Sequence, residues 1–153
     1  MATTVALPSL ITNIVAAFKA SSALTGVSIY DGPILDGSYP QQWIAVGHDG
    51  SEEGPSQAAQ ATNTYDQLGA KKMFEDGSIN CVLAAWDGND SPASKRTAAY
   101  NLLSAVDTAI RSDPSFGGVV LYSGLGLHTM TYSQDDLGIV CLITFTINYR
   151  ART

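Results

Sequence analysis

Ile11, Ile14, Val15 and Phe18 recur three and four residues apart, a spacing that lines them along one stripe of an α-helix and predicts a helix over 8–23. Gly26 lies just beyond and can end the helix without a Cβ penalty. Short apolar runs at 27–30 and 42–46 read as strands, the second carrying Trp43 and Ile44. Asp31-Gly32-Pro33 breaks the first run, Asp36-Gly37 marks a further turn, and Gly47-His48-Asp49-Gly50 closes the second run. Residues 79–86 form a strongly hydrophobic strand approached by Met73 and Phe74. The span 71–86 reads either as one long bent strand or as two strands around Asp76-Gly77.

Asp87-Gly88-Asn89-Asp90 is a turn. Ser91 or Asp90 can cap the helix that follows, and Pro92 suits its first turn. The helix should span 92–111, with Ala99, Leu102, Leu103, Val106 and Ile110 on its buried stripe and Lys95, Arg96, Asn101, Thr108 and Arg111 at polar positions. Asp113-Pro114 ends it, because proline disfavours the α conformation in the residue before it. Strands are expected at 119–122 and 125–132, with Gly124 and Gly126 allowing a bend or bulge. After the turn Asp135-Asp136-Leu137-Gly138, the clearest strand covers 139–149. Ile143, Phe145, Ile147 and Tyr149 face one way, and Thr144, Thr146, Asn148 and Arg150 the other.

The segment 51–69 carries little pattern. Glu52, Glu53 and Gly54-Pro55 open it, and a polar Gln-, Ala- and Thr-rich run follows. It reads as a long loop or as a hairpin arm ordered against a neighbour, with a short helix over 56–61 as a competitor for part of it. Unstructured connections of this length are uncommon in compact domains unless they have a function, so we read the segment as a subunit contact or mobile loop. The order of elements predicts one domain over 1–153 of the α/β class, α+β in type: a mixed, mainly antiparallel sheet packed against two principal helices.

Composition narrows the function classes. The chain has 153 residues, enough for one core without covalent staples. Charged residues are 14% of it, where about a quarter is usual. Either the chain hides surface in an oligomer, or Ser, Thr, Asn and Gln supply its polar surface. A net charge of −6 argues against a basic face that grips a phosphate backbone. Tyr30, Tyr39, Tyr65 and Tyr132 lack the basic neighbours of a single-strand stacking groove. Cys81 and Cys141 sit in apolar strand-like runs and read as buried thiols rather than a disulfide or a zinc framework. The N-terminal pattern reads as a helix, not a secretory leader, and no apolar run reaches the roughly 18 residues of a membrane span. Cytoplasmic assembly without membrane contact is the expectation.

Candidate chemistry is thin. Gly124-Leu125-Gly126-Leu127-His128 lacks the Lys and Ser/Thr of a phosphate loop and is not followed by a helix. Asp87, Asn89 and Asp90 are spaced for helix capping rather than for a calcium loop. Glu75-Asp76 and Asp135-Asp136 read as solvated turns. A small cytoplasmic enzyme would need His48, beside Asp49, or His128 to converge with an acid in a pocket. No catalytic residue, metal or cofactor is assigned.

The second half acts as a unit. A helix ends in Arg111-Ser112-Asp113-Pro114-Ser115-Phe116-Gly117-Gly118-Val119, a β segment and a turn follow, and the last strand closes on Tyr149-Arg150-Ala151-Arg152. With the N-terminal amphipathic helix and the strand before Trp86, this order resembles the tail terminator subunits of long-tailed bacteriophages. The resemblance implies a mixed α/β fold and a six-membered ring that caps a completed tail tube and joins it to the filled head. The implied partners are further copies of the chain, the tail-tube protein and a head-completion or connector protein. Genomic DNA would cross the lumen without specific binding, and the location would be the head-proximal end of the virion tail. Other neck, tail-completion or tail-tube subunits are the nearest alternatives. From their positions, Glu52, Glu53, Gln57, Gln60, Tyr65, Gln67, Arg96, Arg150 and Arg152 are the expected assembly contacts.

Overall fold

The computed structural model describes residues 5–34, 40–51, 53–69, 71–86, 91–135 and 138–153. Asp36-Gly37, Tyr39, Glu52, the turn Asp87-Gly88-Asn89-Asp90 and Asp136-Leu137 lie outside the described residues.

The first helix, α1, runs Leu7–Ala20 with Pro8 in its first turn, where a missing N–H costs nothing, and buries Leu10, Ile14, Val15 and Phe18. It stops three residues short of the expected end. There the chain tightens into a 3-10 turn, Ser22–Leu24, that turns Leu24 into the core. Strand β1 (Ser28–Asp31) then pairs in parallel with β2 (Gln42–Val46). Strand β4 (Met73–Ala85) takes β2 along its second half and β3 (Ala59–Tyr65) along its first, both antiparallel and on the same side. On the other side β4 pairs with β6 (Gly138–Arg152), and β6 with β5 (Tyr122–Asp135), again antiparallel. The sheet order is β1-β2-β4-β6-β5, with β3 on β4 beyond the end of β2. One parallel pair in an otherwise antiparallel sheet, with two principal helices packed on it, is the expected fold class.

The structure decides between two pairs of open readings and corrects one expectation. The segment 51–69 is neither one long loop nor helical at 56–61 but ends in a hairpin arm, ordered against the chain's own β4. Its second half is β3, because the first half of β4 presents a strand edge that its polar backbone can pair with, out to Tyr65↔Met73. The strand expected at 119–122 begins only at Tyr122, and 114–119 is a turn. Phe116, Gly117 and Gly118 there take φ of 48°, 76° and 85°, which strand geometry excludes. Strand β5 then runs unbroken, with its bulge between Leu125 and His128, next to the expected Gly126. Finally, of the two readings of 71–86 the single long strand holds, and β4 runs through Asp76-Gly77.

The second helix, α2 (Pro92–Ser112), begins on a Ser91 side-chain cap that accepts the Ser94 N–H. Its stripe of Ala99, Leu102, Leu103, Val106 and Ile110 meets Ile79, Cys81, Leu83 and Ala85 of β4 and Cys141, Ile143, Phe145 and Ile147 of β6. Each large aliphatic buried in this layer contributes about 1.5–3 kcal/mol. The alternate residues of the same strands face away from the helices. Near β1, Trp43, Ala45, Val82 and Ala84 are buried there as a second small cluster with Tyr30, Ile34, Val140 and Leu142. Cys81 and Cys141 are free thiols. They lie on adjacent strands but opposite Phe145 and Ala85 respectively, so they are not cross-strand partners, and burial pushes the Cys81 thiol up to about 12. No helix among the described residues is long and apolar enough to cross a membrane.

Candidate assembly surface

The polar arm and the C-terminal arginines meet at one end of the sheet. Tyr65 faces Met73 at the end of β3, and Phe74 faces Arg152 on the other side of β4. The Arg152 guanidinium binds the Asp66 carboxylate, which ties the last strand to the hairpin turn between β3 and β4. Arg150 Nε lies 3.1 Å from Asp76 Oδ1, and its guanidinium sits 4.2 Å from the Phe74 ring centre. The two arginines are thus held by acids and a ring of their own chain. These pairs are partly exposed, so their energetic contribution is small. Tyr65 is 70% exposed and Leu68, at the turn, is fully exposed. Glu53, Gln57, Gln60 and Gln67 are also exposed. Arg96 stands apart. It reaches Tyr132 of β5, with its Nη1 3.2 Å from the phenol oxygen, at the end of the sheet where Ala85 faces Cys141.

Two buried charged residues were not expected. Lys95 was expected at a polar helix position, yet it is fully buried, with its Nζ 5.6 Å from the centre of the Trp86 ring. Its position four residues before Ala99 puts it on the apolar stripe, and that spacing was the available signal. Glu75 was expected in a solvated turn, but it is 1% exposed and its Oε2 accepts the Ala6 N–H at 2.7 Å. The carboxylate therefore receives a donor at the start of α1. It shares strand parity with Ile79 and Cys81, which is what turns it inward. Burial first, and then the Glu75 charge, raise the Tyr149 phenol above its ordinary range.

The turn after β2 is built around Asp49. Its carboxylate accepts N–H groups from Ser51 at 2.9 Å and Gln57 at 2.9 Å and the Ser56 hydroxyl at 3.0 Å. The Ser51 hydroxyl first, then the Gln57 and Ser51 N–H groups and the Ser56 hydroxyl, hold the Asp49 carboxyl well below the ordinary range, against a smaller opposing effect of burial. A carboxyl depressed in the folded state stabilises the fold above its unfolded pKa of about 4 and loses that contribution as pH falls through the folded value. Thermal unfolding followed by circular dichroism from pH ~5 down to ~2 should therefore fall more steeply for the native chain than for Asp49→Asn. The turn faces solvent, so the difference amounts to about 1 kcal/mol or less. Superimposable pH profiles would remove Asp49 as the organiser of this turn.

His48 Nδ1 lies 2.7 Å from Ser56 Oγ, but the Asp49 carboxylate bonds the serine, not the imidazole. His128 is exposed on β5, edge-on to Tyr100 with ring centres 5.8 Å apart. Neither histidine lines the open cavity of about 530 Å³ between α1 and the end of α2, whose walls include Ala16, Ala20, Ala109 and Phe116. Nor does either reach the one of about 550 Å³ at Gly26, Pro40, Gln41, Gln42 and Trp86. Among the described residues no group of three or more His, Cys, Asp or Glu side chains could hold a metal ion.

The bridge after α2 has a clear physical design. Asp113 accepts the Ser115 and Gly117 N–H groups at 3.2 and 2.8 Å and the Ser115 hydroxyl at 2.7 Å. Asn13 of α1 donates to the Phe116 carbonyl at 3.0 Å, and the Phe116 side chain is buried. The Asp-Pro-x-x-Gly-Gly pattern therefore seats an aromatic residue in the core and returns the chain to the sheet. Compared with known proteins, the chain matches no family model and no curated protein sequence.

Proposed function

We propose that this chain is a tail terminator subunit of a long-tailed bacteriophage, six copies of which close a ring on the finished tail tube and offer the face to which the filled head joins. The observation that carries the reading is the ordered unit of α2, the Asp113-Pro114-Ser115-Phe116-Gly117-Gly118 bridge, β5 and β6 ending in Arg150-Ala151-Arg152. A closed ring needs one patch of a subunit to meet a different patch on the next. Such a ring works by steric block and by docking, and no substrate is transformed. Its partners are its own copies, the tail-tube protein and a head-completion or connector protein. With a net charge of −6, the lumen would let genomic DNA pass without gripping it. The subunit would assemble in the host cytoplasm and remain at the head-proximal end of the tail.

Electron microscopy of tail tubes mixed with the purified chain tests the reading. One ring at a single end of each tube, with growth arrested, is the expected result. Tubes built from the chain itself would make it a tube subunit instead. Well-folded protein that leaves tube ends bare would remove the terminator role.

A further inference from the structure

Besides the four-residue β1, which ends in Asp31, two unlike strands border the sheet. On one side β5 is the last strand, fourteen residues long, and on the other β3 forms the outer strand along the first half of β4. Among the described residues no strand pairs with the outer edge of either. An exposed strand edge templates further strands unless charge, proline, short length or a bulge blunts it. Strand β3 reads Ala-Gln-Ala-Thr-Asn-Thr-Tyr, without a charge or a proline. Strand β5 has neither lysine, arginine nor proline, and its one bulge leaves the eight residues from His128 to Asp135 in regular register. Large apolar side chains also gather on these strands. Of the seven exposed among the described residues, Tyr65 lies on β3 and Tyr122, Leu127 and Tyr132 on β5.

Strand direction decides how the edges can meet. Strand β3 is antiparallel to β4, β4 to β6 and β6 to β5, so β3 and β5 run in opposite directions. A copy rotated about an axis along the strands keeps every strand direction. It therefore sets its β3 antiparallel beside the first copy's β5 and continues the alternation of the sheet.

We propose that β3 of one copy pairs with β5 of the next, carrying one antiparallel sheet across the subunit boundary. This deepens the ring reading and rests on it for the closure. The occupant is a second copy, because neither edge carries a lysine, an arginine or a proline, the one acid is Asp135 at the very end of β5, and the two edges are opposite in direction and present on every chain. The contact is head-to-tail, which closes a ring when the rotation per copy is suitable.

Thr62 and Thr131 are exposed residues in the middle of the two edges. Thr62→Lys and Thr131→Lys put a charge on one edge each, and circular dichroism verifies that each variant folds. Mass is read by light scattering, and assembly on tail tubes by microscopy. The native chain should associate, each variant alone should stay at the mass of one subunit, and an equimolar mixture should double that mass, since it retains one intact β3 and one intact β5. Doubling by Thr62→Lys alone would show β5 pairing with β5 and overturn the proposal. So would variants that assemble like the native chain, or a native chain that stays single both alone and on tubes. A chain carrying both Thr62→Cys and Thr131→Cys gives a second reading. A short bifunctional thiol reagent should produce a covalent ladder from it, where each single variant stays at the mass of one subunit because its cysteine faces a threonine of the next copy; a single variant that cross-links to a dimer, or absence of the ladder in assembled material, also overturns the proposal. Rings that still cap tubes without these effects would leave the terminator reading standing. The expected mixed dimers with bare tube ends would remove that reading and keep the edge pairing.

Discussion

Gly77→Val is expected to lower the unfolding free energy by roughly 3 kcal/mol or more, the upper end of what overpacking costs. A Cβ at this position would stand 2.6 Å from the Gln60 carbonyl oxygen and 2.8 Å from both Cε1 and Oη of Tyr149. Gly77 pairs with Tyr149 across β6 and with Ala61 across β3, so the tyrosine ring lies over the one place on β4 without a side chain. The carbonyl oxygen belongs to the backbone of β3 and can yield only if β3 moves. Urea unfolding should show the loss, and amide exchange should show β3 opening before the rest of the sheet. Gly126 makes a useful contrast. A Cβ there would press on Thr146 Oγ1 and on the end of Asn148, and these side-chain atoms can rotate away. Gly126→Ala should therefore cost about 1 kcal/mol or less. A Gly77 variant as stable as the native chain would show that β3 does not lie against β4 as closely as described.

Phe18→Ala should cost about 3–5 kcal/mol, the range for truncating a fully buried aromatic residue. Phe18 has no exposed surface and belongs to the cluster that joins α1 to α2 and to the helix-facing side of the sheet. For a chain of this length, each 1 kcal/mol lowers Tm by about 2–4 °C, so a fall of roughly 6–20 °C is expected in calorimetry. Phe18→Leu keeps most of the volume and should lose clearly less. If the alanine variant melted within a degree or two of the native chain, α1 would not be part of the cooperative core.

Much of this architecture was legible in the pattern of residues. The α2 stripe from Ala99 to Ile110 and the period-two alternation along β6 each bury one face. A one-sided apolar pattern leaves the chain few ways to hide that surface. Other features needed partners distant in sequence. Polar 59–65 has no pattern of its own, and it becomes β3 because the first half of β4 provides its ladder. Asp76-Gly77 looks like a turn locally. It lies inside a strand because β3 and β6 pair on both sides of it and Tyr149 occupies the glycine's vacant space.

The assembly surface divides in the same way. Exposure of Gln57, Gln60, Tyr65, Gln67 and Arg96 follows from their polar or patternless surroundings. That Arg150 and Arg152 are held by Asp76 and Asp66 does not, since those acids come from β4 and the turn before it. What residue order determined by itself was which faces must be buried and where the backbone must turn, because periodicity and glycine or proline geometry act over a few residues. Tertiary structure alone decided which strands are neighbours, which charges enter the core at Glu75 and Lys95, and which strand edges stay open, because each depends on backbone groups brought together from separate parts of the chain.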